Sequence, residues 1–157
     1  MSKKEDYPKE IITYERVSYD SEEKVKVITV VKNEYEEKAV LAAINFMNAF
    51  NKSDPHECDK YVQYPHIAIL TNGNIISTEK PSFLSKKYFE AMSKVSEWHH
   101  TCWDNRHVLH SGKNKIHLEL QFTRYKYDGT KIATSPAIWI ITNQNGYWGI
   151  KIRSIYV

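Results

Sequence analysis

One arginine lies at the end of an apolar strand face, where a charge is costly to bury. Arg124 shares this face with four apolar residues, because side chains two positions apart point to the same side of a strand. The four are Ile116, Leu118, Leu120 and Phe122. Since burying an unpaired charge costs several kcal/mol, the pattern predicts either a buried acidic partner for Arg124 or a pocket that holds a polar or anionic ligand.

A histidine and an aspartate on the preceding strand could carry out acid–base chemistry beside Arg124. If that strand contains no bulge, its even-numbered residues face the core, and His100 and Asp104 are among them. In a hairpin that turns at 111–114, Asp104 falls roughly opposite Arg124. His100 is then a candidate general base, with Asp104 orienting it and Arg124 holding an anionic oxygen.

Two alternatives account for the same residues. Asp104 and Arg124 could form a structural ion pair while His100 is solvated near the pocket mouth. A bulge in the strand would instead turn His99, Thr101 and Trp103 toward the core.

Further ligand contacts are expected from a histidine and from aromatic rings. His66 follows Pro65, which fixes the local backbone and can position the imidazole, although Ile67 and Ile69 of opposite parity suggest that His66 lies on the less buried face. Aromatic rings suit a ligand with a mixed apolar and polar surface. The expected ligand contacts are Arg124, His66, Tyr64, Trp98 and Trp148.

Other kinds of site fit the sequence poorly. His107 and His110 are three residues apart on a strand and point to opposite faces, so no metal site is predicted, and no cofactor is expected. Cys102 and His100 are in phase for a thiol–imidazole pair, but a packed free thiol is the simpler interpretation. With 22 basic and 19 acidic residues, the net charge of +3 gives no nucleic-acid footprint.

The composition is that of one domain in a reducing compartment. A chain of 157 residues can bury one ordinary core. No apolar stretch is long enough for a membrane span or a secretory signal, so we expect a soluble protein without membrane contact. Two cysteines without CxxC spacing favour the cytoplasm.

Periodicity predicts helices first and strands afterwards. Helical spacing covers 34–52, and Asp54 with Pro55 begins a second, short helix. A third helix is predicted over 81–95 with Pro81 in its first turn. Residues 1–33 are expected to form an N-terminal arm, as a strand pair or an extended segment, ahead of a domain over 34–157. The predicted strands are a hairpin over 64–70 and 75–78 and a meander over 98–110, 115–127, 131–143 and 147–157.

This order defines an α+β domain in which a bent antiparallel sheet packs on helices. Pro136 inside the third long strand indicates a bulge or an edge there. The same strand is apolar on both faces, which predicts that its outer face is covered. A second copy of the chain, in a homodimer through the outer sheet face, is the simplest cover.

The chain resembles the nuclear transport factor 2-like (NTF2-like) superfamily, with its cystatin-like cone, and its SnoaL-like branch in particular. The resemblance covers residues 34–157. It implies a conical cavity and, commonly, a dimer, but no particular activity. The residues that carry it are Tyr64-Pro65-His66, Trp98-His99-His100-Thr101, Phe122-Thr123-Arg124 with Asp128-Gly129, and the segment from Trp148 to Ser154.

The function expected from these observations is binding of a small, mixed apolar and polar metabolite in the cavity. One alternative is a cofactor-independent lyase or isomerase that uses the His100 and Asp104 pair. A second is a dimeric protein-association module without catalysis, which would have a filled or shallow cavity and a larger exposed patch.

Overall fold

Helices and strands follow one another closely from Lys9 to Ile155 in a computed structural model, which describes residues 6–156. The helices are α1 (Glu34–Asn51), α2 (Pro55–Asp59) and α3 (Lys86–Ser96). The strands are β1 (Lys9–Glu15), β2 (Val25–Val31), β3 (Val62–Ile69), β4 (Ile75–Thr78), β5 (His100–Ser111), β6 (Lys115–Tyr125), β7 (Lys131–Gln144) and β8 (Tyr147–Ile155).

The main sheet has six strands in the order β4-β3-β8-β7-β6-β5, and β1 pairs with β2 in a separate hairpin. The predicted α+β class and the strand pair before α1 are both present. One feature differs from the expected antiparallel sheet: β8 runs parallel to β3, so the sheet is mixed. The predicted hairpin and meander are thus joined edge to edge through the last strand.

The inner face of the sheet packs against α1. Asn33 caps this helix by accepting a hydrogen bond from the backbone nitrogen of Glu36 at 3.0 Å. Most of the apolar stripe that predicted the helix, including Val40, Ile44 and Met47, is buried in the core, whereas Leu41 is 40% exposed. This packing places the hydrophobic core between α1 and the inner sheet face.

The two shorter helices differ in how well the sequence predicted their starts. Asp54 caps α2 and Pro55 occupies its first turn, as expected. Helix α3 begins later than predicted, because Ser85 rather than a residue near Pro81 provides the cap, accepting from the backbone nitrogen of Tyr88 at 3.1 Å.

Side chains from α1 and the β1–β2 hairpin cover the free edge of β5. Asn51 bonds both backbone groups of Thr101, donating to its oxygen at 2.8 Å and accepting from its nitrogen at 2.7 Å. Glu15 accepts from the backbone nitrogen of Trp103 at 2.8 Å. An unpaired strand edge can recruit another chain, so these bonds protect this end of the sheet.

Among the pairing shifts in the described sheet, one in β5 and one in β8 decide which side chains face inward near the cavity. In β5 the pairing with β6 shifts between Trp103 and Asn105, which leaves Asp104 as the extra residue. In β8 the pairing with β7 shifts so that Ile150 pairs with Ile141, whereas Ile152 pairs with Ile140. Each bulge reverses the face to which the following side chains point.

Candidate functional site

A cavity of about 290 Å³ lies between the helices and the inner face of the sheet. Its walls combine a few polar groups with aromatic rings from α1, the loop before α3, α3 itself, β6 and β7. The aromatic residues are Phe46, Phe50, Phe83, Tyr88, Phe122 and Trp139, and the ionisable ones besides Tyr88 are His66, Arg124 and Arg153. Among residues 6–156, no aspartate or glutamate lines this cavity.

Arg124 lies in this wall, as the sequence predicted. Its Nη2 donates to the hydroxyl of Tyr88 at 3.1 Å, and its guanidinium lies 5.8 Å from the centre of the Phe50 ring. Its Nε is buried and has no hydrogen-bond partner in the described part of the chain. A buried donor without an acceptor is costly, and Nε1 of Trp139 in the same wall also lacks one in the described part of the chain. Of these two donors, only Arg124 carries a charge.

The placement expected for His100 and Asp104 is wrong. The alternative with a bulge is correct for Thr101 and Trp103 but not for His99, which is exposed and packs against Tyr19 and Tyr127. Thr101 pairs with Arg124 and Trp103 with Phe122, so these two odd-numbered residues face inward. His100 pairs with Tyr125 and faces outward. The catalytic role given to His100 and Asp104 stays a prediction, but neither residue lines the cavity.

Asp104 and His100 have other partners on the outer side of β5. Asp104 accepts hydrogen bonds from the hydroxyl of Thr123 at 2.7 Å and from the amide of Gln121 at 3.0 Å. His100 donates from Nε2 to the carbonyl oxygen of Val17 at 2.8 Å. The ion pair between Asp104 and Arg124 that the sequence suggested is therefore not formed.

His66 lines the cavity and is 1% exposed, contrary to the expectation that it lies on the less buried face. Its Nε2 is 3.0 Å from Nε of Arg153, which can only donate, so Nε2 accepts. Its Nδ1 therefore carries the proton and donates to the carbonyl oxygen of Ile150 at 3.2 Å. Burial and, secondarily, the charge of Arg153 lower the pKa of His66 to about 4, so the ring is neutral near pH 7.

Arg153 is a second cavity cation, which sequence reasoning missed. Its guanidinium lies 5.1 Å from the centre of the Phe83 ring. Burial lowers the pKa of Arg153 to about 10, which still leaves it charged near neutral pH. Regular alternation from Ile150 would point Ile152 inward, but the bulge in β8 brings Arg153 inward instead.

The remaining aromatic residues expected to contact a ligand are not in the cavity wall. Trp98 packs on Phe50 and donates from Nε1 to the hydroxyl of Thr101 at 3.0 Å, and Trp148 is buried in the core. Tyr64 donates its hydroxyl to Asp59, and burial raises its pKa. These three side chains serve the packing around the cavity rather than its surface.

Comparisons with known proteins show which fold this is. No family model matches the sequence, and no curated protein matches it. A protein of unknown function with a cystatin-like fold from Nostoc punctiforme PCC 73102 is 16% identical with a TM-score of 0.61, covering 80% of this chain and 92% of that chain. An NTF2-like protein from Cytophaga hutchinsonii ATCC 33406 is 9% identical with a TM-score of 0.57, covering 80% of this chain and 98% of that chain.

The fold is NTF2-like. A ketosteroid isomerase-like protein from Erwinia carotovora atroseptica SCRI1043 shares it at 15% identity and a TM-score of 0.55, covering 79% of this chain and 96% of that chain. At such identities the likeness extends to the fold and not to an activity. The cone in which NTF2-like proteins enclose a cavity is the arrangement seen here between α1 and the sheet.

Neither a membrane-spanning helix nor a metal-binding cluster is found among the described residues. Over residues 6–156, no helix is long and apolar enough to cross a membrane. No cluster of three or more histidine, cysteine, aspartate or glutamate side chains within that range is arranged to hold a metal ion.

Proposed function

We propose that this protein binds a small molecule with an apolar body and a polar group in the cavity between α1 and the sheet. The observation that carries the proposal is Arg124, whose buried Nε has no acceptor among the described residues although it borders an aromatic-lined hollow. A ligand acceptor would complete the hydrogen bonding of Arg124 while its body covers the rings. The cavity, at about 290 Å³, is near the small end of the range of ligand sites.

Binding without catalysis is better supported than acid–base chemistry in this cavity. Both nitrogens of His66 are engaged, and its pKa of about 4 makes it a weak base. No carboxylate from residues 6–156 lines the wall. A lyase or isomerase that uses His100 and Asp104 would have to act on the outer side of β5.

A neutral fluorescent dye tests the proposal directly. N-phenyl-1-naphthylamine brightens when it enters an apolar site, and we expect saturable brightening with the wild-type protein. Ala68 lines the cavity, so Ala68→Phe should fill part of it and weaken binding about tenfold or more. Ala91→Phe is the matched control, because Ala91 is exposed on α3.

If the fluorescence of the dye does not increase saturably with the wild-type protein, small-molecule binding is refuted. Equal weakening by Ala68→Phe and Ala91→Phe would place the dye outside the cavity. Thermal unfolding of both variants checks that each remains folded at the temperature of the titration.

We also propose that a second copy of the chain covers the outer sheet face. Four isoleucines lie together there on β3, β8 and β7: Ile67, Ile152, Ile140 and Ile138. Ile138 is 39% exposed in the single chain, and the other three are half-buried. Their alignment across adjacent strands supports self-association by the same patch on both copies.

The dimer is tested by molar mass in solution. Light scattering after size exclusion should give twice the chain mass for the wild-type protein, and Ile140→Lys should shift it to the monomer because a charge would be buried in the interface. Lys131→Ile, an exposed site at the start of β7, should leave the mass unchanged. A monomeric wild-type protein at the concentrations of the dye assay would contradict the dimer.

A cytoplasmic location is proposed from the two cysteines. Cys58 and Cys102 are both unpaired and buried, which suits a reducing compartment. Fractionation of cells that express the tagged chain should recover it with cytosolic markers, and recovery with membranes or outside the cell would contradict this.

A further inference from the structure

The charges that face the cavity all have one sign. Arg124 on β6 and Arg153 on β8 line it together, and no aspartate or glutamate from residues 6–156 does so. Neither arginine has a carboxylate partner within salt-bridge distance in that described range. Two cations in an apolar wall without a counter-charge repel each other and are poorly solvated.

Both guanidiniums lie in the wall of the same cavity, to which Tyr88 also contributes. Arg124 donates to the hydroxyl of Tyr88, and the same tyrosine lies close enough to Arg153 to act on it electrostatically. The charge of Arg124 also reaches Arg153 and disfavours its protonated form. A single small molecule in this cavity can therefore interact electrostatically with both guanidiniums.

Each guanidinium is oriented by a side chain that leaves part of it available. His66, held neutral, accepts from Nε of Arg153, and the terminal nitrogens of Arg153 donate to no protein acceptor in the described chain. Arg124 uses Nη2 for Tyr88, while its Nε has no partner there. Neutral partners fix the direction of the two cations without cancelling their charge, which is how a protein prepares an anion site.

We propose that the ligand of this cavity is an organic anion: a small carboxylate with an aromatic or otherwise apolar body, whose acidic group is held by Arg124 and Arg153. The inference rests on the proposed binding function and specifies its ligand class. The aromatic rings of Phe46, Phe83 and Trp139 cover the body, and the two arginines select the charge. A neutral ligand of the same shape would leave both cations uncompensated.

A pair of competitors that differ only in charge tests the ligand class. The neutral dye N-phenyl-1-naphthylamine is bound first and is then displaced with 2-naphthoate or with 2-naphthamide near neutral pH. We expect 2-naphthoate to displace it at a concentration about 10- to 100-fold lower, the range for charged hydrogen bonds. Raising the ionic strength should narrow the difference, because salt screens the partly exposed charges.

Variants assign the preference to the two arginines. Arg124→Gln and Arg153→Gln should each reduce the preference for 2-naphthoate, and the double variant should bring the ratio close to one while N-phenyl-1-naphthylamine still binds. Lys113→Gln removes the same charge from an exposed turn and should preserve the wild-type ratio. Arg124→Lys should retain part of the preference, because it keeps the charge and loses the planar donor set.

The outcomes separate this inference from the function on which it rests. If N-phenyl-1-naphthylamine does not bind to the wild-type protein, the proposed function fails. If the dye binds but the two naphthyl competitors displace it equally in the wild-type protein, the cavity binds ligands without selecting anions, and this inference alone is overturned. The comparison of the two competitors in the wild-type protein decides the ligand class even if an arginine variant unfolds. A preference for 2-naphthoate that persists in a folded double variant would also overturn the inference.

Discussion

His66 should make the stability of this protein depend on pH in a window that one substitution can remove. The folded state lowers its pKa from 6.5 to about 4, because the ring is buried and lies beside Arg153. Between these values the unfolded chain binds a proton that the folded chain does not. The free energy of unfolding therefore falls as the pH drops from about 6.5 to about 4.

The size of this effect follows from the two pKa values. A lowering from 6.5 to about 4 corresponds to about 3 kcal/mol, since each pKa unit is worth about 1.4 kcal/mol. No part of this penalty acts well above pH 6.5, and all of it acts below about pH 4. Acidic groups elsewhere in the chain also titrate in this range, so the wild-type curve alone cannot isolate His66.

Comparison of the wild-type protein with His66→Gln isolates the contribution of His66 to the pH dependence of stability. A glutamine amide can still accept from Arg153 and donate to the carbonyl oxygen of Ile150, but it does not titrate. Urea unfolding, followed by tryptophan fluorescence at a series of pH values, should show the wild-type protein losing about 3 kcal/mol more than His66→Gln on going from neutral pH to below about pH 4.

The matched control is His107→Gln, because His107 is an exposed histidine on β5. Its curve should follow the wild-type curve. If the curves of the wild-type protein and His66→Gln are parallel throughout, His66 is not held neutral by its environment, and the tautomer assigned from Arg153 and Ile150 is wrong.

Two further substitutions test local packing. Gly149→Ala would place a methyl group 2.9 Å from the backbone of β3, so we expect the free energy of unfolding in urea to fall by about 1–3 kcal/mol. Gly112→Ala is the control and should cost much less, because its new methyl group meets only an ordinary contact at 3.7 Å. Equal losses in the two variants would refute the close approach of Gly149 to β3. Asn51→Ala removes both hydrogen bonds to Thr101 at the β5 edge and should lower the free energy of unfolding by about 1–3 kcal/mol. Asn45→Ala is the control and should be nearly neutral, because Asn45 is exposed on the same helix. Similar effects of the two substitutions would show that these bonds do not stabilise the β5 edge.

Sequence pattern predicted the elements of this fold well because their signals are local. The stripe in α1, the cap at Asp54 and the turn at Asn72-Gly73 each depend on neighbouring residues, and each is where the pattern placed it. Arg124 was also placed correctly, since β6 alternates without a shift from Ile116 to Arg124. The parallel contact of β8 with β3 joins distant segments and left no local signal.

The site residues were predicted less well because face assignment fails at a bulge. One extra residue at Asp104 turned His100 outward, and the shift in β8 exchanged Ile152 for Arg153. A clue was present in β5: Trp103 and Val108 are both apolar but differ in parity, which a regular half-buried strand does not allow. A similar conflict is present in β8, where Ile150 and Ile152 are at even positions and Ile155 is at an odd one.

The position of β8 inside the sheet has a consequence for how the protein forms. This strand follows every other element in sequence, yet it is the only link between the β3–β4 pair and β7 among the strands described. During synthesis, β3 must wait for a neighbour that begins 78 residues after β3 ends, since β3 ends at Ile69 and β8 begins at Tyr147. Contacts over such separations slow folding. Arg153 arrives with this strand, so the proposed anion site and the completed sheet form in the same late step.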